Sequence, residues 1–181
     1  MSECALRFVD HLKALGQANR GAMAALRHSL AFEPGTYEKA YPYVERFASA
    51  EQSPRSPWRL ALYLTAGLYA RHPQNAAQSF AAAFGELWRA RESSPSVEKR
   101  FIALLGADAE NVAEYLRQAI SLLAAEDIGF DFARLLDDLK YWLNAYAPEQ
   151  RDRVRQQWAR DFYRANISDN ANNTNSQEKD D

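Results

Sequence analysis

The chain has 181 residues, a quarter of them charged, and a formal net charge of −2. That length allows a sizeable hydrophobic core in one domain or in two small lobes, whereas the net charge excludes a generally basic surface. The lone cysteine, Cys4, excludes an internal disulfide and a cysteine-ligated metal site, and it is typical of a reducing compartment.

Apolar residues recur at helical spacing along nearly the whole chain, which predicts an all-α protein of about eight or nine helices. In the N-terminal half we predict helices at about residues 3–15, 19–31, 40–47, 58–71 and 74–91. Arg20 and Arg27 are two turns apart and therefore form one stripe on the second helix. Ser56 and Pro57 are typical of a helix start, and the apolar helix after them should be the buried centre of this half.

A polar stretch at residues 92–96 predicts a boundary between two lobes, 1–92 and 93–165. The second lobe should contain helices at about 97–105, 112–123, 132–142 and 149–165, with Asp108 and Asp131 capping the second and third of these. Residues 166–181 have almost nothing to bury, and they predict a disordered acidic tail.

The last predicted helix carries five arginines beside its apolar face. Val154, Trp158 and Phe162 fall on one side of the helix and should face the core. Arg151 and Arg155 lie on one flank of that face, and the other flank carries Arg153, Arg160 and Arg164. We predict that the three arginines of the second flank bind nucleic acid.

No pattern in the sequence indicates catalysis. The three histidines are scattered without metal-ligand spacing, and there is no glycine-rich phosphate loop or G-x-S-x-G turn. Asp137 and Asp138 are adjacent on a helix, so their side chains point about 100° apart, and we interpret them as a solvated face or a cap. The sequence predicts a non-enzymatic protein that works by binding, without metal or cofactor.

The most apolar segment, residues 60–70, is too short to cross a bilayer, which needs about 20 residues. The N-terminus has no basic stretch followed by an apolar run, so we predict no signal peptide. These features predict a cytoplasmic protein that does not contact the membrane.

Arginine supplies 17 of the 22 basic residues. Its planar guanidinium suits phosphates and carboxylates and stacks on nucleobases, although a GC-rich genome also raises arginine content. Composition therefore leaves open two hypotheses, a nucleic-acid-binding protein and a helical adaptor whose arginines pair with acidic protein surfaces.

Six segments of the chain resemble a known family, and they occur in the order and at the spacing that the family shows. They are Asn19-Arg20-Gly21 leading to Ala25-Leu26-Arg27; Ala40-Tyr41-Pro42; Ser96-Val97-Glu98-Lys99-Arg100-Phe101 with Leu104-Leu105; Tyr115-Leu116-Arg117-Gln118; Leu135-Leu136-Asp137-Asp138-Leu139; and Gln157-Trp158-Ala159-Arg160-Asp161-Phe162-Tyr163. Over about residues 5–165 the chain resembles the CasB family, the small subunit of the type I-E CRISPR surveillance complex Cascade.

The resemblance implies a non-catalytic, all-helical subunit of two small lobes. Two copies would pack head to tail in Cascade and contact its large subunit and the backbone subunits on the CRISPR RNA. Basic surface residues would help to hold the DNA of the R-loop, including the displaced non-target strand. Such backbone contacts carry no sequence information, which suits a protein that serves many guides.

The family's basic positions fall on a small set of residues in this chain. They are Arg27, Arg55, Lys99, Arg100 and Arg117, with Arg20 beside Arg27 on its stripe. Two residues depart from the family pattern: His28 stands where a second arginine is common, and Asp137 replaces a residue that is often not acidic.

Overall fold

A computed structural model of the protein describes residues 1–49 and 53–174, with side chains described as far as Arg164. Within those ranges the chain forms nine α-helices, so the predicted all-α class is confirmed. The helices are α1 (Glu3–Ala18), α2 (Arg20–His28), α3 (Tyr41–Val44), α4 (Pro57–Arg71), α5 (Phe80–Ala90), α6 (Pro95–Gly106), α7 (Val112–Ala125), α8 (Phe132–Trp142) and α9 (Pro148–Thr174). Three short 3-10 helices, Ser29–Ala31, Glu38–Ala40 and Glu45–Phe47, join α2 to α3 and follow α3.

The core is continuous across the whole described chain. Helix α4 lies at its centre, since every residue from Ala61 to Ala70 is buried, as predicted. It packs against α2 on one side and α8 on another, while α5 packs along α9. The division into lobes 1–92 and 93–165 stays a prediction, and these contacts join the two parts through one cluster of buried residues.

The predicted helix at residues 74–91 begins later than expected, at Phe80. Residues 74–76 are extended instead, because the backbone of Phe130 accepts from Ala76 N at 3.1 Å and donates to Gln74 O at 3.3 Å. Ser79 then caps α5 by accepting a hydrogen bond from Ala82 N. A long-range backbone pairing therefore overrides the local helical pattern in this segment.

Two other helix ends also differ from the prediction. The second helix leaves α geometry after His28 and continues as the 3-10 helix Ser29–Ala31, where the Ser29 hydroxyl donates to Leu26 O. Helix α9 continues past residue 165 to Thr174, and no glycine or proline interrupts that stretch. The predicted tail thus overlaps the end of α9, and its residues 175–181 lie outside the described residues.

The predicted caps divide into three cases. Asp131 caps α8 as expected, accepting from Ala133 N and Arg134 N. Asp108 accepts from the backbone of Glu110 and Asn111, so it orders the turn before α7 rather than the helix itself. Ser56 stands at the N-cap position of α4, but its side chain makes no capping hydrogen bond.

Of the two interpretations of Asp137 and Asp138, a solvated face or a cap, the solvated face is wrong. Asp138 accepts a hydrogen bond of 2.7 Å from the indole Nε1 of Trp158. Asp137 accepts from both the backbone nitrogen and the hydroxyl of Ser2, and from Lys140 Nζ at 3.1 Å. The two carboxylates point in different directions, as predicted from the helix, but tertiary packing supplies each of them with partners.

Candidate nucleic-acid interface

A basic groove runs along one side of the protein where α1, α2, α4 and α7 meet. Two adjoining cavities, with volumes of about 530 and 750 Å³, share Arg27 and Arg71 in their linings. The first also contacts Arg117, and the second Lys13 and Arg20. We call these five residues the basic groove.

Each of the three central arginines is held by a hydrogen bond to the protein itself. Arg27 Nε donates to Ala70 O at 3.1 Å, and Arg71 Nε donates to the Ser121 hydroxyl at 2.8 Å. Arg117 Nη1 donates to Leu30 O. Arg27 and Arg71 are anchored through Nε and keep their Nη donors for a ligand, whereas Arg117 also uses Nη2 to pair with Glu114. An anchored guanidinium loses less conformational entropy when an anion binds.

The described walls of this groove carry no carboxylate. Among the described residues, no Asp or Glu lines either cavity. Lys13 pairs with Asp10 at 3.5 Å and Arg117 pairs with Glu114, in both cases one helical turn away on the same helix. Such exposed pairs are weak and break readily, so the groove presents a local excess of positive charge in a chain whose net charge is −2.

Three of the nine predicted binding residues meet in the basic groove: Arg20, Arg27 and Arg117. Arg55 is exposed in the turn before α4, at the opposite end of that helix from Arg71. Lys99 and Arg100 are exposed on α6, and Arg153, Arg160 and Arg164 lie on α9. None of these six lines the two cavities of the groove.

The two arginine flanks of α9 differ in their roles. Arg155 donates to Ala107 O at 2.7 Å, pairs with Asp152 and lies 5.3 Å from the ring centre of Trp142. That flank therefore stabilises the contact between α9 and the core. On the other flank, Arg160 bonds only to Gln157 of its own helix within the described part of the chain.

Sequence reasoning missed two residues of the groove, Lys13 and Arg71. Arg71 ends α4 just before His72-Pro73, and in the sequence it is only a basic residue in the last turn of a helix. Lys13 lies on the first helix, far along the chain from Arg117. Only the packing of α1, α2 and α7 around the end of α4 brings these side chains to one surface.

Trp158 and Phe162 pack inward, as predicted, and two other large aromatic residues join them. Phe101, Trp142, Trp158 and Phe162 are all buried, and the rings of Phe101 and Phe162 stack with 4.0 Å between their centres. Tyr163 donates its hydroxyl to Glu98 at 2.8 Å. The four buried rings belong to the core and are not available for stacking on nucleobases.

Neither a metal site nor a membrane span emerges from the described ranges. No group of three His, Cys, Asp or Glu side chains there could hold a metal ion. None of the helices described is both long and apolar enough to cross a bilayer.

Sequence comparisons with known proteins identify one family. A sequence model of the family described as CRISPR-associated protein Cse2 matches residues 22–163. A CRISPR-associated protein Cse2 from Thermus thermophilus is 47% identical over 167 residues, which are 90% of this chain and 92% of that protein.

Solved structures agree in fold. The crystal structure of CasB from M. ruber superposes with a TM-score of 0.76 at 30% identity, covering 94% of this chain and 98% of that one. A Cse2-family crystal structure from Thermus thermophilus gives a TM-score of 0.75 at 44% identity, with coverage of 90% and 99%. A chain of a CRISPR RNA-guided surveillance complex has the same fold at 18% identity, with a TM-score of 0.74 and coverage of 93% and 98%.

Proposed function

The chain belongs to the CRISPR-associated Cse2 family, and from that premise we propose that it is the non-catalytic small subunit of a Cascade-type, CRISPR RNA-guided surveillance complex in the cytoplasm. Its role there is to bind the nucleic-acid strands of the R-loop, including the displaced non-target strand, and so to stabilise the R-loop in antiviral defence. Its partners are the CRISPR RNA, the large and backbone subunits of the complex, and a second copy of itself.

One observation carries the nucleic-acid part of the proposal. The basic groove gathers five cationic side chains from four helices, and no acidic residue of the described chain lines it. Cationic side chains of this kind bind phosphates and release counterions from the nucleic acid. A concave surface follows a strand more closely than a flat one, so the groove suits a phosphate backbone.

Because R-loop formation is nearly balanced in free energy, modest protein contacts are enough to stabilise the R-loop. The guide–target hybrid is about as stable as the DNA duplex that it replaces. A few backbone contacts can therefore decide how long the opened state persists. Because phosphate contacts carry no sequence information, the same groove serves every guide.

The six predicted residues outside the groove supply additional contacts in this proposal. They are Lys99 and Arg100 on α6, Arg55 before α4, and the arginines Arg153, Arg160 and Arg164 on α9. They lie on other parts of the surface, so a strand or a neighbouring subunit passing over the protein would meet them separately from the groove.

The test of the proposal compares variants in the assembled complex. Arg27→Gln combined with Arg71→Gln removes two charges from the groove, and Arg100→Gln removes one from α6. Arg7→Gln is the matched control, because Arg7 is exposed on α1 and lines neither cavity. We expect the groove variant to shorten the R-loop lifetime about tenfold, a loss of about 1.4 kcal/mol, while the control behaves as wild type.

Two further measurements separate this role from that of a helical adaptor. The wild-type protein should co-purify with CRISPR RNA and the other subunits, and it should bind single-stranded DNA at low salt. An adaptor would co-purify equally well, but the groove variant would then leave the R-loop lifetime unchanged. Circular dichroism of the variants would show that the loss of function is not a loss of folding.

A further inference from the structure

An exposed aromatic cluster borders the basic groove. It consists of His28 at the end of α2, Phe32 after the following 3-10 helix, and Tyr37 in the loop beyond. The rings of Phe32 and Tyr37 stack with 4.9 Å between their centres and 16° between their planes. The His28 ring lies 5.5 Å from that of Phe32 and 5.2 Å from that of Tyr37.

Two members of the cluster, His28 and Phe32, are exposed, whereas Tyr37 is half-buried against the core. Phe32 is 47% exposed, although Tyr37 covers one side of its ring. A single exposed apolar side chain is ordinary on a protein surface. An ordered stack of rings with an exposed member is different, because the rings hold one another in a defined geometry before any ligand arrives.

The cluster and the basic groove form one continuous surface. His28 lines the groove's first cavity together with Arg27, Arg71 and Arg117. Phe32 and Arg117 both line a further small cavity directly beside it. A strand whose phosphates contact the groove would therefore carry its bases past the aromatic rings.

We propose that His28, Phe32 and Tyr37 form a base-stacking platform that makes the groove prefer single-stranded nucleic acid over duplex. This inference rests on the proposed function, since it names the kind of strand that the groove binds. Stacking on an aromatic ring requires an unpaired base whose face is not already covered by its neighbours in a duplex. Every base has such a face, so the platform adds affinity for single strands without reading their sequence.

His28 connects the basic groove to the platform. It follows Arg27 directly in the sequence, and its ring contacts both other members of the cluster. An arginine there would add a phosphate contact, whereas the histidine ring extends the aromatic surface. The basic groove then ends in a stacking surface at His28.

The experiment measures binding of matched oligonucleotides by fluorescence anisotropy with the full chain. The ligands are a single-stranded DNA, the same length of abasic strand, and the corresponding duplex. Phe32→Leu keeps apolar bulk but removes the π face, and Phe32→Tyr retains it. Tyr146→Leu is the matched control, because Tyr146 is 97% exposed and lines none of the three cavities described above.

We expect Phe32→Leu to weaken binding of the base-containing single strand about tenfold, within the range that stacking of one base contributes. Its binding of the abasic strand and of the duplex should be unchanged. Phe32→Tyr should restore wild-type affinity, and Tyr146→Leu should have no effect. A photoreactive 5-iodouracil strand should crosslink to Phe32 or Tyr37.

Several outcomes would overturn the platform while leaving the basic groove intact. Equal loss for the normal and abasic strands would show that Phe32 acts through folding or through the groove. No loss on any strand, together with failure to enter the surveillance complex, would assign the cluster to a protein contact. By contrast, wild-type protein that binds none of the three ligands would contradict the proposed function itself.

Discussion

Asp138 on α8 illustrates how packing changes the chemistry of a single residue. The pKa of its carboxyl is raised to about 6, mainly because the side chain is buried. The hydrogen bond from Trp158 and the positive charge of Arg134 lower the pKa, but by less than burial raises it. Because this value exceeds the 3.8 of the unstructured side chain, the folded state binds its proton more tightly than the unfolded chain does. The stability linked to this group is therefore fully present below about pH 4 and is lost as the pH rises through 6.

Asp138→Asn should make the protein more stable at pH 8. The amide oxygen can still accept from Trp158, but the buried charge is removed. The difference between 3.8 and about 6 corresponds to a gain of at most about 3 kcal/mol, and the gain should shrink towards pH 4. Urea unfolding at pH 4, 6 and 8 measures it, and a variant no more stable than wild type at pH 8 would contradict the prediction.

At the scale of the element, the contact between α5 and α9 depends on one glycine. A Cβ added at Gly85 would overlap the backbone oxygen of Phe162. The two helix backbones therefore approach more closely than any other residue would allow at this position. Around this approach the rings of Phe84, Trp88 and Phe162 pack together.

Gly85→Ala should lower the free energy of unfolding by about 1–3 kcal/mol, because α9 must shift away from α5. Gly106→Ala is the matched control, since an added Cβ there meets no heavy atom within 4 Å. That control should leave stability unchanged or raise it by up to about 1 kcal/mol. Thermal and urea unfolding of the two variants would test the pair, and equal effects would argue against a close helix contact.

A second link between elements joins the start of α1 to α8. Ser2 caps α1 by accepting from Ala5 N, and its hydroxyl donates to Asp137 at 2.7 Å. Burial raises the pKa of Asp137, but the hydrogen bonds from Ser2 and Lys140 outweigh it, so the pKa is lowered overall. The stability from this group is therefore present above about pH 4 and is lost as the pH falls through its folded value.

Asp137→Ala should destabilise the protein by about 1–3 kcal/mol at pH 7, because the half-buried donors of Ser2 lose their acceptor. Asp10→Ala is the control, since the pair that Asp10 makes with Lys13 is exposed. Hydrogen exchange should report faster opening of the first turn of α1 in Asp137→Ala alone. Slow exchange there, matching wild type, would mean that α1 does not depend on this link.

Across the whole protein, the proposed binding of a nucleic-acid strand depends more on where the charges lie than on the net charge. The chain has an excess of two acidic residues, yet the basic groove gathers five cations with no carboxylate in its described lining. Net charge sets long-range attraction to a polyanion, while local charge sets the number of phosphates that are contacted. In the proposed function, the groove would therefore make the densest set of phosphate contacts, and the six predicted residues outside it would make separate ones.

This arrangement predicts a limited salt dependence of single-strand binding. The five phosphate contacts of the groove should contribute about −3.5 to the slope of log K against log salt concentration. Arg71→Gln should reduce that slope by about 0.7, and Arg7→Gln should leave it unchanged. A titration from low to high salt measures all three proteins, and an identical slope for Arg71→Gln would remove Arg71 from the interface.

The sequence by itself determined the features that depend on one helix at a time. Apolar periodicity is a property of a single element, so it predicted the all-α class, the buried centre of the N-terminal half at α4 and the inward face of α9. The spacing of Arg20 and Arg27 placed both on one stripe for the same reason, and both line the groove. The family resemblance added Arg117 and a role for these residues.

Only the tertiary structure decided which charges meet. Lys13 and Arg71 join the groove because α1 and the end of α4 pack beside α2. The same packing uses Arg155 to hold α9 to the core, although its helical position resembled that of the arginines on the other flank. Contacts between residues distant in sequence depend on how whole helices pack, and no local pattern in the sequence encodes that arrangement.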